Sequence, residues 1–553
     1  MSHYNLSIAN PEKHFLNIEA TFRTEGRPIL ILKFPCWRPG RYELVNFAKN
    51  VKGFKVETTS GKPLHYAKRG KDEWMVHTDA AAEIVVTYQY YSNELNAGST
   101  YLDENQLYVN PVNCFIHEEN QEDKPCTLTL EIPDTYEVAG SLDAIGANKF
   151  KAASYHELVD SPFIASDSLQ HNSFDSHGIT FHIWFQGEVK PDWNRLITDY
   201  KKYTDYQIEK FESFPVDEYH YLIQIGTTKV YHGVEHQKST VLQLGPSYEV
   251  FESLYTELLG VSSHELYHTW NVKAIRPDDM FPYKYDRENY SELGYVAEGV
   301  TTYMGDRILY ECGVFDSRQY HKELGSYVNR HFHNDGRFNY SVAESSIDTW
   351  LDGYVMGIPG RKTSIYTEGC LIAYISDMRI RAATNNERSL HTVMQKLYDL
   401  TNQKMGYTEE LYRGFLESES GVSFHDIFDD LVHGTASFIP YLDSALAFDG
   451  RKLSSSESKT ETSRYGLKGV NKGDGYDVKL VLQNSSASDS GVVAGDLVIG
   501  VNGILLAKDL DKWLNYFKGE PIKLLINRSG KQVRRELTVP NDNQYYDWVI
   551  EEL

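Results

Sequence analysis

Short runs in which apolar and polar residues alternate fill the first third of the chain. Residues 29–34, 83–88 and 126–132 carry Ile, Leu, Val, Thr and Tyr at two-residue spacing, between turns containing Gly, Pro and Asn. This period predicts strands of a β-sandwich-like domain over residues 1–170. The period then changes. Residues 247–273, 296–312 and 365–381 repeat their apolar positions every three and four residues, which predicts helices. A third character appears at residues 454–463, ten positions without one apolar side chain. Such a run has no face to bury and reads as a linker. The expected fold class is therefore multidomain α+β. It comprises an N-terminal β domain (1–170), a mainly helical domain (171–453), the linker (454–463) and a C-terminal module (464–553).

Length agrees with that division, since 553 residues exceed the usual single domain several-fold. Charge refines it. The net charge is −23, from 55 Lys+Arg and 78 Asp+Glu. It is spread as −7 over residues 1–170, −16 over 171–461 and 0 over 462–553, which sets the last segment apart. An acidic chain lacks the basic surface that nucleic acid or anionic lipid requires, so neither is expected as a partner. No stretch reaches the roughly 18 apolar residues of a membrane span. The opening residues Met1-Ser2-His3-Tyr4 show no secretory pattern. A cytoplasmic setting is expected, or a periplasmic one if a signal has been removed. Five scattered cysteines (Cys36, Cys114, Cys126, Cys312, Cys370) form no CxxC pair and read as reduced, buried thiols.

The chemistry concentrates at His264-Glu265-Leu266-Tyr267-His268. On a helix, residues four apart share a face, so two imidazoles can reach one Zn²⁺ while Glu265 stands beside the site as a general base. Catalytic zinc of this type takes a third protein ligand from elsewhere. Glu298, 30 residues on, is an acid in an apolar helix start, a costly place unless paired or bound to metal. Thr302, one turn further, is a candidate hydrogen-bond partner for that carboxylate. His331 and His333 belong to no motif and read as surface residues. No phosphate loop, dinucleotide fingerprint or GxSxG elbow is present.

The extended run from His264 through Thr269-Trp270-Asn271-Val272-Lys273 closely resembles the zinc motif of the M61 glycyl aminopeptidase family. Glu298-Gly299-Val300-Thr301 with Tyr303 is similar to that family's EGxTxY segment, and Trp37-Arg38-Pro39-Gly40-Arg41-Tyr42 to its N-terminal WxPGxY element. The resemblance implies a thermolysin-like catalytic domain holding one zinc per chain on His264, His268 and Glu298. It implies that Glu235, in Gly233-Val234-Glu235-His236, binds the α-ammonium of the substrate, with Gly233 and His236 in the same substrate-binding strand. It also implies that Tyr366, in Tyr366-Thr367-Glu368-Gly369-Cys370, stabilises the oxyanion. Peptides with a free N-terminus and a small first residue, Gly or Ala, are the expected substrates. An endopeptidase with the same chemistry, or a scaffold that only binds, are the competing readings. Several positions depart from the family pattern: Glu368 for Lys, Cys370 for Ala, Ala274 for Arg, Met304 for Tyr, and Val45-Asn46 for Arg-Asp. Finally, Tyr465-Gly466-Leu467 and the run from Ser490 to Ile504 resemble a PDZ domain, a β-barrel-like module whose groove would take a peptide C-terminus.

Overall fold

The computed structural model describes residues 2–540 and 544–553. Its N-terminal part is built of sheets. Seven strands form one sheet, in which Ser2–Ile8 lies parallel to Cys126–Glu131 and antiparallel to Phe15–Arg23. Two four-stranded sheets complete this β domain. The alternation read from the sequence is visible directly: along Glu83–Tyr91, Ile84, Val86, Tyr88 and Tyr90 point inward and their neighbours do not. That period-two burial stabilises one face of each strand.

A five-stranded mixed sheet begins the second part, in the order Gln170–Ser176, Ile179–Gln186, Glu218–Ile225, Ser239–Gly245 and Val230–Glu235. Among the described residues Val230–Glu235 is an edge strand, paired only with Ser239–Gly245. Its other edge keeps the unpaired backbone groups that a peptide can use. Helices pack beside this sheet. The Trp193–Phe211 helix starts at Asp192, whose side chain accepts from the Arg195 amide. The helix expected at 247–273 is narrower, Tyr255–Tyr267, and carries His264 and Glu265 in its last turn. The helix expected at 296–312 is composite. A π-helical turn, Tyr295–Val300, leads into the α-helix Thr301–Glu311. Such turns widen the backbone ladder and are frequent at functional sites; here the turn holds Glu298. It lies against the first turns of the Ile365–Ala383 helix, where any side chain on Gly299 would overlap the backbone of Gly369.

One continuous hydrophobic core joins the β domain to the helical region, with Trp37, Trp270, Tyr267 and Tyr303 fully buried in it. The C-terminal sheets carry a core of their own, from Tyr465 to Leu537. They comprise six strands, with Leu467–Lys472 at an edge. Between the two lies the segment expected as a linker, and here the structure corrects the sequence reading. Arg451–Glu457 is a strand, paired residue for residue with Tyr546–Glu552 at the chain's end. Serine and glutamate suit it because a two-stranded ribbon leaves most side chains in water. The stabilising partner lies 89 to 101 residues away, so local composition gave no sign of it. Among the described residues no helix is long and apolar enough to cross a membrane.

Candidate active site

His264 and His268 leave the same face of their helix, and their Nε2 atoms lie 3.0 Å apart. His268 Nδ1 lies 2.7 Å from the Asn271 carbonyl oxygen, so that nitrogen carries the proton and donates it. The tautomer leaves Nε2 as a bare lone pair. Glu298 Oε2 stands 3.5 Å from the same Nε2. One ligand atom from each of the three residues falls within 4.8 Å of the others. Three potential ligand atoms thus converge on one point, an arrangement that a cation between them stabilises. The electrostatics separate the two rings. Burial and the neighbouring His268 ring push His264 well below the ordinary imidazole range. Burial also disfavours charge on His268, yet Glu298 outweighs it and raises that pKa. Two imidazoles and one carboxylate at this spacing suit Zn²⁺, so the residues present fit the metal the motif implies.

Asn271 holds the assembly together. Its side-chain amide donates to the Val296 carbonyl at 3.0 Å and to Thr301 Oγ1 at 3.0 Å, tying the motif helix to the π-turn that bears Glu298. The carboxylate is also held from the β domain: Tyr42 Oη donates to Glu298 Oε1 at 2.6 Å, with both residues buried. Thr302, the partner expected from sequence, does not fill this role, because its buried hydroxyl has no hydrogen bond among the described residues. Helical spacing put Thr302 on the correct face, whereas Tyr42 arrives from 256 residues away. Its signal in the sequence was the WxPGxY element, whose final tyrosine it is. Hydrogen bonds of this kind orient metal ligands, and losing one typically costs ten- to a hundred-fold in metal affinity. Tyr42→Phe is expected to weaken zinc binding by about that factor, measured by competition with a chromogenic chelator.

Glu265 faces the edge strand. A side chain on Gly233 would overlap its carboxylate and crowd Val261, so glycine suits a strand that passes this close to Glu265. Burial raises the Glu265 pKa, opposed by His268 and reinforced by the Glu235 and Glu298 carboxylates. Glu235 lies on the same strand, 4 % exposed, and its Oε1 has no hydrogen-bond partner among the described residues. Its other oxygen packs on Gly40, where a Cβ would overlap it. Gly40 also has φ +76°, a conformation that favours glycine. His236, expected beside the substrate, pairs through Nδ1 with Asp160 at 3.1 Å. Asp160 in turn accepts from the buried Lys273 ammonium at 2.7 Å. Although burial opposes it, Lys273 and His236 hold the Asp160 carboxyl far below its usual range.

Tyr366, on the first turn of its helix, lines a cleft of about 540 Å³ together with Gly233, His264 and Glu265. Its hydroxyl makes no hydrogen bond among the described residues, and burial with nearby Glu298 raises its pKa well above the phenol range. It is therefore a neutral donor. The departure at Glu368 has a structural partner: His331 Nδ1 lies 2.7 Å from Glu368 Oε2, and both side chains are buried. His331 is thus a core residue, contrary to the surface position expected for it. A buried carboxylate needs such a partner, and this one comes from the neighbouring Ser317–Phe332 helix.

Comparisons with known proteins place this geometry. Residues 3–167 match the peptidase M61 N-terminal domain, and residues 257–372 match the M61 glycyl aminopeptidase family. No curated protein matches the chain. Among solved structures, an aminopeptidase N family protein from Idiomarina loihiensis superposes with a TM-score of 0.93 at 25% identity, over 100% of this chain and 98% of that one. An M1 zinc metallopeptidase variant from Deinococcus radiodurans, bound to a Tyr-Ser-Ala substrate, superposes with a TM-score of 0.52 at 11% identity, over 79% of this chain and 94% of that one. That second likeness is one of fold. The two family matches flank the edge strand and between them contain Tyr42, both histidines, Glu265, Glu298 and Tyr366. With the His264–His268–Glu298 cluster in place, they make the chain a member of the M61 peptidase family, a glycyl aminopeptidase of the zinc metallopeptidase fold.

Proposed function

We propose that the protein removes single small residues, Gly or Ala, from peptides with a free N-terminus, using one zinc per chain held by His264, His268 and Glu298. The observation that carries this reading is the buried, unpaired Glu235 Oε1 on the edge strand that also runs past Glu265. A carboxylate left without a donor in such a place calls for a cation, and the substrate's α-ammonium is one. Held there, the ammonium fixes the distance from N-terminus to scissile bond, which is what limits cleavage to one residue. Gly233 and its neighbours offer backbone groups to the peptide in β fashion. His236, with Asp160 and Lys273, supports the strand behind Glu235.

Bound zinc supplies a Lewis acid that polarises the scissile carbonyl and acidifies water. Glu265 takes the proton from the attacking water and passes it to the leaving amine. The Tyr366 hydroxyl donates to the carbonyl oxygen as negative charge develops on it. Neither group has to travel far, since both line the cleft that contains His264.

We further propose the domain division 1–170, 171–453 and 464–553, with a thermolysin-like middle domain and a C-terminal PDZ module. The separate C-terminal core supports it. So does the Tyr465-Gly466 turn, Gly466 at φ +84°, leading into the edge strand Leu467–Lys472. A peptide or protein C-terminus would add to that strand. Five free cysteines, four of them buried, fit a reducing compartment, and we place the protein in the cytoplasm.

A panel of aminoacyl amides tests the reading. Alanyl and glycyl amides are expected to be cleaved, with activity lost in chelator and restored by added Zn²⁺. Unchanged hydrolysis in chelator would remove the zinc mechanism, and none with zinc present would leave the endopeptidase or the binding scaffold.

A further inference from the structure

Arg38 is a buried cation that the mechanism does not use. It is 2 % exposed, and no carboxylate among the described residues comes within ion-pair distance of it. One hydrogen bond anchors the guanidinium, from Nη1 to the Pro39 carbonyl at 3.1 Å. The plane lies flat on Gly98, where a Cβ would overlap Nη2, Cζ and Nε together. A buried guanidinium normally has its fork of donors filled by a carboxylate or phosphate, and burying one without a partner is unfavourable. Burial accordingly disfavours its charged form, while the field of Glu235 favours it.

Two further cations stand nearby in a chain of net charge −23: Arg41, which pairs with Glu43, and Lys49. Arg38, Arg41 and Lys49 line a cavity of about 260 Å³ together with Asn96, Gly98 and Asn113. The one acid on its wall, Glu94, already accepts from the Asn96 amide at 2.7 Å. Arg41 sits 4.6 Å over the Tyr354 ring, and Tyr354 Oη accepts from the Tyr42 amide at 3.1 Å, which places this cluster beside the Tyr42–Glu298 contact. The charge of Arg38 is felt at Glu235, Glu265 and His232. Gly40, two residues on from Arg38, packs on the Glu235 carboxylate, so one short segment of the β domain reaches both groups.

We propose that Arg38 and its cavity form a subsite for a carboxylate on the side chain of the substrate's first residue, so that the enzyme also takes peptides beginning with Glu or Asp. This rests on Glu235 as the ammonium site. With the ammonium on Glu235 and the carbonyl at the His264–His268–Glu298 cluster, the first Cα lies between them. Its side chain leaves that axis, and the segment that packs Gly40 on Glu235 also carries Arg38, whose guanidinium lines a cavity larger than a methyl group needs. The donors of Arg38 then meet a carboxylate, which supplies the partner the fold leaves out.

The test compares glutamyl, glutaminyl and alanyl amides, because Glu and Gln share shape and differ in charge. Charge-assisted hydrogen bonds from a buried guanidinium give an expected kcat/KM ratio of Glu over Gln of about ten- to a hundred-fold in the wild-type enzyme. Arg38→Lys is expected to keep part of that ratio and Arg38→Gln to abolish it. Equal or better cleavage of the glutaminyl amide by the wild-type enzyme would overturn the proposal, and this comparison stands even if Arg38→Gln fails to fold. No cleavage of any of the three, alanyl included, would overturn the aminopeptidase reading itself and the subsite with it.

Discussion

Glu265→Gln is expected to lower kcat for alanyl amides by about 10²–10⁴-fold, the range that a positioned general base contributes. Glutamine keeps the size of the side chain that packs against Gly233, so the edge strand has no reason to move. It also leaves His264, His268 and Glu298 untouched, and zinc content measured on the purified variant is expected to match wild type. What it removes is the acceptor for the water's proton. Burial, reinforced by Glu235 and Glu298, makes Glu265 a stronger base than an exposed carboxylate, so a neutral amide cannot substitute. If the variant retained both zinc and wild-type kcat, proton transfer would have to be assigned to another group.

The second large effect belongs to Glu235. Glu235→Gln is expected to reduce kcat/KM for free-amine substrates by about two to three orders of magnitude, mostly through KM, since losing one partner of a desolvated charge pair costs that much. The side chain is walled by Gly40 and backed by the His236–Asp160–Lys273 pairs, so an isosteric change leaves the strand in place. Circular dichroism and zinc content serve as controls. A loss confined to kcat, with KM unchanged, would mean that Glu235 shapes the site without holding the ammonium.

The limits of the sequence reading follow from distance along the chain. The spacing of His264 and His268 encodes a shared helix face, and the apolar frame around Glu298 marks it as a buried acid, so the three-residue cluster is legible locally. The role of Asn271 could be suspected from the extended motif, but its contacts at Val296 and Thr301 are set by how two helices dock. Tyr42 and Gly40 act on Glu298 and Glu235 from the β domain. No periodicity reveals such a contact, because it depends on the shared core that locks the β domain onto the helical region. The strand Arg451–Glu457 escaped for the same reason: serine-rich composition describes a solvated segment, and pairing with Tyr546–Glu552 changes its conformation without changing its solvation. Glu368 is intermediate. Its departure from the family pattern was visible, while the buried His331 that compensates it was not.

The central claim is that a buried carboxylate beside a zinc cluster restricts the enzyme to free N-termini. It is tested most directly by the zinc-loaded protein on alanyl-alanine amide and its N-acetylated counterpart. Acetylation replaces the ammonium with a neutral amide and leaves the scissile bond itself unchanged. The expected result is release of alanine from the free peptide and no measurable cleavage of the acetylated one at the same enzyme concentration. Cleavage of both at comparable rates would contradict the claim and make the protein an endopeptidase.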